Sequence, residues 1–324
     1  MELHCHLDGS IRQKMIRKIY EVEGNPLALS EEELHQVTVA SKQCTLEEYI
    51  HCFRLVAAGL RTKRALQLAL LDVAEQAALE NVLYIEVRLS PLHLTTTTFS
   101  MDDVAEALIE AGEMAEKYYS IKIRFIFCCM RRQLENDNLA VIKLAKKYLG
   151  MGVVAIDLAG DEGKYPTSDY RSLFIYASQI GVPYTIHAGE TGDVTSVLTA
   201  MDFGAKRIGH GIAIAQSIGA VELAVKQDIL LEMCPVCNIQ TRAAQSWQSY
   251  PVETFYKNKI AFCFNTDNRT VSETTLTNEF LQVDKNCYSI SESWIQEQMK
   301  TALNYSFADE GTKAGLKKRL LLNT

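Results

Sequence analysis

The sequence predicts an α/β fold: a single TIM-type (β/α)8 barrel over residues 1–324, with extra helices between strands one and two. Three observations predict it. Short runs rich in β-branched residues alternate with longer helical patterns, which implies parallel strands joined by helical crossovers. Eight such units in 324 residues suit a barrel better than an open doubly wound sheet. No G-x-G-x-x-G follows any of the runs, so the dinucleotide-binding alternative loses its main support. No Gly/Ser/Pro linker, short repeat or low-complexity tract divides the chain.

The elements follow in order. "ELHC" at 2–5 is strand one. The stretch 11–81 is too long for one crossover helix and is expected to hold two or three, one of them over the barrel mouth. Within it, "EEE" at 31–33 is a solvated helix start, and "TKRALQLALLDVAEQAALEN" is a strong helix. Strand two is "VLYIEVR" at 82–88. The next helix opens on Ser100, a cap residue with Asp103 three positions on. Strands three and four are 121–127 and 153–157. The helix "SDYRSLFIYASQIG" then closes on Gly181, a residue suited to the left-handed turn past a helix end. Strands five to eight are 182–187, 206–210, 229–232 and 260–264.

Composition bounds the function. The chain is 48% apolar and 23% charged, ordinary for a soluble globular protein. Its net charge of −7 argues against nucleic acid or an anionic membrane as partner. No apolar run has the 18 or so residues that a spanning helix needs. Nine cysteines, an odd count with Cys128 and Cys129 adjacent, and the lack of an N-terminal apolar segment point to reduced thiols and a cytoplasmic protein.

The chemistry gathers at strand ends, where barrel enzymes keep their sites. His4 and His6 close strand one, and residues two apart on a strand share a face. His187 ends strand five, His210 ends strand six, and Asp267 follows strand eight in "FNTDN". Three neutral imidazoles and a carboxylate from this set suit a divalent metal, Zn²⁺ above all. Glu190, three residues after His187, stands where a general acid would face a metal-activated water; alone, it is equally a helix-start carboxylate. Cys234 and Cys237 have C-x-x-C spacing but no second pair nearby, so they are structural. His35, His51 and His93 are surface or rim residues, with His93 just past strand two.

Taken together, "ELHCHLDGS", "YIEVRLSP", "VVAIDLAGDE", "TIHAGE", "RIGHGI", "EMCPVCN" and "FNTDN" resemble the adenosine deaminase family of metal-dependent amidohydrolases. The motifs stand in the family's order from residue 2 to about residue 280. The resemblance implies zinc-dependent hydrolytic deamination of adenosine, and of 2′-deoxyadenosine, to inosine and ammonia. It implies that His4, His6, His187 and Asp267 hold one Zn²⁺ with a water or hydroxide that attacks C6 of the purine. His210 would hold and help deprotonate that water and stabilise the charge that develops on it, Asp267 would also orient it, and Glu190 would protonate N1. The Gly160 N–H would bind N3. Asp8 would accept a hydrogen bond from the ribose 5′-hydroxyl. The family's adenosine enzymes resemble "HLDG" here, the adenine and aminofutalosine branches "HLEG", and the N6-methyl-AMP branch "HLNG". A carboxylate also repels a 5′-phosphate, which disfavours AMP.

"LEEYIHCF" at 46–53 matches the family's helix over the mouth. Leu46, Tyr49, Ile50 and Phe53 lie at i, i+3, i+4 and i+7, so they share one face and would roof the nucleoside. Three departures stand out. The family usually has two aspartates after strand eight, whereas Asn268 follows Asp267 here. Its "CPxSN" has Cys237 before Asn238. Relatives usually carry several residues ahead of strand one. An amide donates a hydrogen bond at any working pH, so Asn268 is expected to serve purine N7. The alternatives are an aminohydrolase of a modified adenine nucleoside on the same barrel and a non-catalytic nucleoside-binding relative. The presence of all four ligands with Glu190 and His210 argues against the latter. The partner is thus a small-molecule purine nucleoside, and the sequence is silent on oligomeric state.

Overall fold

In the computed structural model, which describes residues 1–322, eight strands alternate with helices. They are β1 (Glu2–His6), β2 (Tyr84–Leu89), β3 (Lys122–Met130), β4 (Val153–Ala159), β5 (Thr185–Ala188), β6 (Arg207–His210), β7 (Leu230–Met233) and β8 (Ala261–Phe264). All pairing among them is parallel, in two four-stranded runs, β1 to β4 and β5 to β8. The runs meet at two seams made of single bridges. At one, Ile156 bridges Tyr184 and its N–H donates to the Pro183 carbonyl at 3.0 Å. Pro183 has no N–H for a ladder, and β5 begins two residues after it. At the other, Cys5 bridges Asp267; the His6 N–H donates to the Asp267 carbonyl at 2.7 Å and the Asp267 N–H to the His4 carbonyl at 3.0 Å. This second seam fastens the two ends of the site's sequence to each other.

The strand expectations hold, with shifted ends. β3 runs three residues past the expected 127, because Cys128, Cys129 and Met130 stay paired with Asp157, Leu158 and Ala159. The helix at Met101–Tyr118 has the full capping box, the Ser100 hydroxyl accepting from the Asp103 N–H and the Asp103 carboxylate from the Ser100 N–H. Gly181 adopts φ +68°, the left-handed exit from the helix Arg171–Gln179.

The region between β1 and β2 differs from expectation. It holds five helices, not two or three: Gln13–Val22, Glu31–Thr38, Leu46–His51, Arg54–Gly59 and Lys63–Leu79. The helix expected over 46–53 stops at His51. There the Cys52 and Phe53 N–H groups bond three residues back, to the Tyr49 and Ile50 carbonyls, and the tighter turn breaks the four-residue ladder.

The helices pack apolar faces on the outside of the strands, and the interior between strands is charged. Arg88 on β2 is fully buried and donates to Asp157 on β4 (2.8 Å), to Glu232 on β7 (2.8 Å) and to the Leu3 carbonyl (2.6 Å). Arg207 on β6 joins Glu232 (2.7 Å) to Glu86 (2.6 Å). Removing one member strands buried charge on the others. Arg88→Met is therefore expected to lower unfolding free energy by about 3–5 kcal/mol, read from urea unfolding. A loss below about 1 kcal/mol would mean that the carboxylates find other partners. No described helix is long and apolar enough to cross a membrane.

Candidate active site

Four strand ends deliver the expected residues to one point. His4 and His6 stand on β1, His187 and Glu190 on and after β5, His210 at the end of β6, and Asp267 after β8. His4 Nε2 and His6 Nε2 lie 3.2 and 3.3 Å from Asp267 Oδ1. His6 Nε2 lies 3.2 Å from His187 Nε2. One ligand atom from each of His4, His6, His187 and Asp267 falls within 4.8 Å of the others. His4 Nε2 is buried and has no hydrogen-bond partner. Burial, then neighbouring Arg88 and His187, holds the His4 and His6 imidazoles neutral well below their ordinary range. Neutral imidazoles turned lone pair to lone pair around a carboxylate fit a bound cation, and N/O donors of this kind fit Zn²⁺.

The outer nitrogens are anchored. His4 Nδ1 sits 2.9 Å from Glu232 Oε2, and His187 Nδ1 sits 2.7 Å from Asp157 Oδ2. Carboxylates behind metal-facing histidines fix which nitrogen faces inward. Burial pushes Glu232 up, but Arg207 and Arg88 outweigh it and bring the carboxyl down to about 2, so it is a permanent anion. Asp157 is likewise held low: His187 and Arg88 overcome its burial. Sequence reasoning missed Asp157, Glu232 and Arg88. Their signal was present, since "AID", "LLE" and "IEVR" each put a charge inside an apolar strand.

His210 and Asp267 have φ of +60° and +58°, a left-handed backbone that non-glycine residues seldom adopt and that clusters at functional sites. His210 Nε2 lies 3.7 Å from Glu190 Oε1. Its Nδ1 lies 3.0 Å from Asn238 Nδ2, and the Tyr250 hydroxyl donates to Asn238 Oδ1 at 3.0 Å. That orients the amide so that Nδ1 accepts, which leaves the neutral ring's hydrogen on Nε2, facing the site. Burial and then Asp267 and Glu162 hold the Glu190 carboxyl well above its ordinary range, so it keeps its proton to higher pH than a free carboxylate. Its loop is pinned by Glu162, which accepts from the Gly189 and Thr191 N–H groups at 3.0 and 2.9 Å and from the Ser196 hydroxyl at 3.0 Å. Glu162 also went unassigned in the sequence, though it ends the motif "DLAGDE".

A pocket of about 250 Å³ opens over this cluster, lined by His6, His187, Glu190 and Asp267 at its floor. Asp8, Gly160 and Asn268 line its walls, and Leu46, Tyr49, Ile50 and Phe53 form its roof. Gly160 has φ +108°, in the region that favours glycine. Burial pushes the Asp8 carboxyl up to about 6. Gly9 has to lack a side chain: a Cβ there would lie 1.8 Å from Asn268 Oδ1 and 2.7 Å from the Phe53 ring. His93 lies at the rim, within 3.0 Å of Gln133, and His35 and His51 lie outside the pocket. Cys234 and Cys237 are buried and free.

A barrel with this cluster at its mouth and a buried carboxyl beside it has the build of a metal-dependent amidohydrolase. The chain belongs to the adenosine deaminase family, hydrolases of C–N bonds in cyclic amidines: residues 1–322 match the family described as adenosine deaminase. It is 37% identical over 321 residues to an adenosine deaminase of Enterococcus faecalis, covering 99% of this chain and 95% of that one. Among solved structures, an adenine deaminase from Arthrobacter aurescens superposes with a TM-score of 0.89 at 23% identity, over 99% of this chain and 97% of that one. A zinc-bound amidohydrolase from Burkholderia ambifaria superposes with a TM-score of 0.86 at 19% identity, over 100% and 89%. At these identities the two structures speak to the fold.

Proposed function

We propose that this chain hydrolyses adenosine to inosine and ammonia, with 2′-deoxyadenosine as a second substrate, in the cytoplasm and as one 324-residue domain. The observation that carries the reading is the buried Glu190 carboxyl, 3.7 Å from His210 Nε2 and beside a cluster of metal-ligand character under an apolar roof. His4, His6, His187 and Asp267 would hold Zn²⁺, whose chemistry there would be to make a water nucleophilic at neutral pH. Asp267 accepts a hydrogen bond from the attacking water and aims it at C6. Glu190 gives its proton to N1, which ends the aromaticity of that ring and makes C6 electrophilic. His210, with its hydrogen on Nε2, donates to the oxygen that adds at C6 and stabilises the charge growing there. This is the stabilising half of the role expected for it; a proton-accepting Nε2 would need Asn238 turned round. Gly160 N–H meets N3, Asn268 meets N7, and Phe53 with its neighbours excludes water.

Asp8 sets the substrate class. It accepts from a 5′-hydroxyl, repels a phosphate and is left without its partner by free adenine. Adenosine is therefore expected to exceed both AMP and adenine in kcat/KM by more than about tenfold, since an unmade buried hydrogen bond costs about 1–3 kcal/mol. A higher kcat/KM for either competitor would remove Asp8 from this role. The net charge of −7 supports a small molecule as partner over nucleic acid or a membrane.

A further inference from the structure

Asn268 stands where the family carries a second aspartate, and its surroundings reach into the roof. Its Nδ2 lies 3.1 Å from the Tyr49 hydroxyl, on the helix Leu46–His51. That hydroxyl lies 2.6 Å from Ser272 Oγ. All three residues are buried. The other end of the amide, Oδ1, is buried without a partner beside Gly9.

An amide, a phenol and an alcohol in a row can hydrogen-bond in either direction. In one setting Asn268 donates to Tyr49 and Tyr49 donates to Ser272. Asn268 Oδ1 is then left unsatisfied, which is the costly feature of a buried polar group. In the other setting Ser272 donates to Tyr49, Tyr49 donates to Asn268 Oδ1, and the amide N–H groups take the place of Oδ1, beside Gly9 and the Phe53 ring that lines the pocket. There they need an acceptor, and a purine N7 is one. Neither setting requires a proton to be taken up, whereas an aspartate at this position donates only when protonated.

We propose that Tyr49 is a specificity-determining positioning residue: its hydroxyl takes the Asn268 carbonyl oxygen and so presents the amide N–H to N7 of the bound purine. The inference rests on the adenosine-deaminating reading of the pocket. It makes lid placement and recognition of N7 one event, because the hydroxyl that turns Asn268 is carried by the roof helix. A base without N7 leaves the row in its first setting and gains nothing from the hydroxyl.

The test uses the metal-loaded full chain, with inosine and 7-deazainosine as competitive inhibitors of adenosine turnover. Inhibition constants are compared for wild type, Tyr49→Phe and Asn268→Ala. Tyr49→Phe keeps the ring and its packing, and is expected to weaken inosine about three- to tenfold while 7-deazainosine changes by less than about twofold. Asn268→Ala is expected to show the same selectivity. If Tyr49→Phe weakens both inhibitors alike while Asn268→Ala remains selective for inosine, Tyr49 only packs the lid. The proposal is then overturned and the assignment of Asn268 stands. If Asn268→Ala weakens both alike, Asn268 does not read N7 and the proposal falls with it. A wild-type chain that leaves adenosine unchanged overturns the reading beneath both.

Discussion

Replacing Glu190 by glutamine is expected to lower kcat for adenosine by about 10²–10⁴-fold while the metal stays bound. The amide has the shape of the acid and cannot deliver a proton to N1. The loop around it has its own fastenings, from Glu162 to the Gly189 and Thr191 N–H groups, so the backbone has no reason to move. The change should fall on kcat more than on KM, because the proton is needed as the transition state forms. Parallel measurement of turnover and metal content decides it. Turnover within a few-fold of wild type, with metal retained, would take the acid role away from Glu190.

His187→Ala is expected to remove both metal and activity. The wild-type chain should carry about one Zn²⁺, as three imidazoles and a carboxylate imply. Deleting one imidazole takes a nitrogen from 3.2 Å beside His6 Nε2, and it strips Asp157 of a neighbour 2.7 Å away. Asp157→Asn probes the outer layer separately: it keeps every ligand and should weaken metal binding about 10–100-fold. Elemental analysis with a melting curve before and after chelation reads both. A His187→Ala protein that still holds stoichiometric zinc and turns over would disprove the ligand set.

Much of this site was legible in the sequence because barrel geometry converts a one-dimensional rule into a place. Polar residues at the ends of β-branched runs meet at one mouth whatever the connections do, so His4, His6, His187, His210 and Asp267 could be assembled from strand positions alone. The supporting layer was harder to see. Asp157, Glu232 and Arg88 sit inside strands, and which of them touch depends on the register of pairs such as Cys128 with Asp157 and Gly209 with Glu232. Local pattern does not fix register between distant strands. The lid was half legible: the i, i+3, i+4, i+7 face of 46–53 was right about which side chains reach the pocket, but not about the helix breaking at Cys52. The direction of the Asn268 amide and the hydrogen on His210 Nε2 were out of reach, since each depends on a partner far along the chain, Tyr49 in one case and Asn238 in the other.

The most direct measurement is the fate of adenosine itself: the purified, zinc-loaded chain incubated with adenosine, with inosine and ammonia quantified together and the Glu190→Gln protein run beside it. Equimolar inosine and ammonia from the wild type, and at least about a hundredfold less from the variant, is the expected result. Adenosine left intact while a modified adenine nucleoside is consumed, or equal turnover by the two proteins, would contradict the assignment of this pocket to adenosine deamination through Glu190.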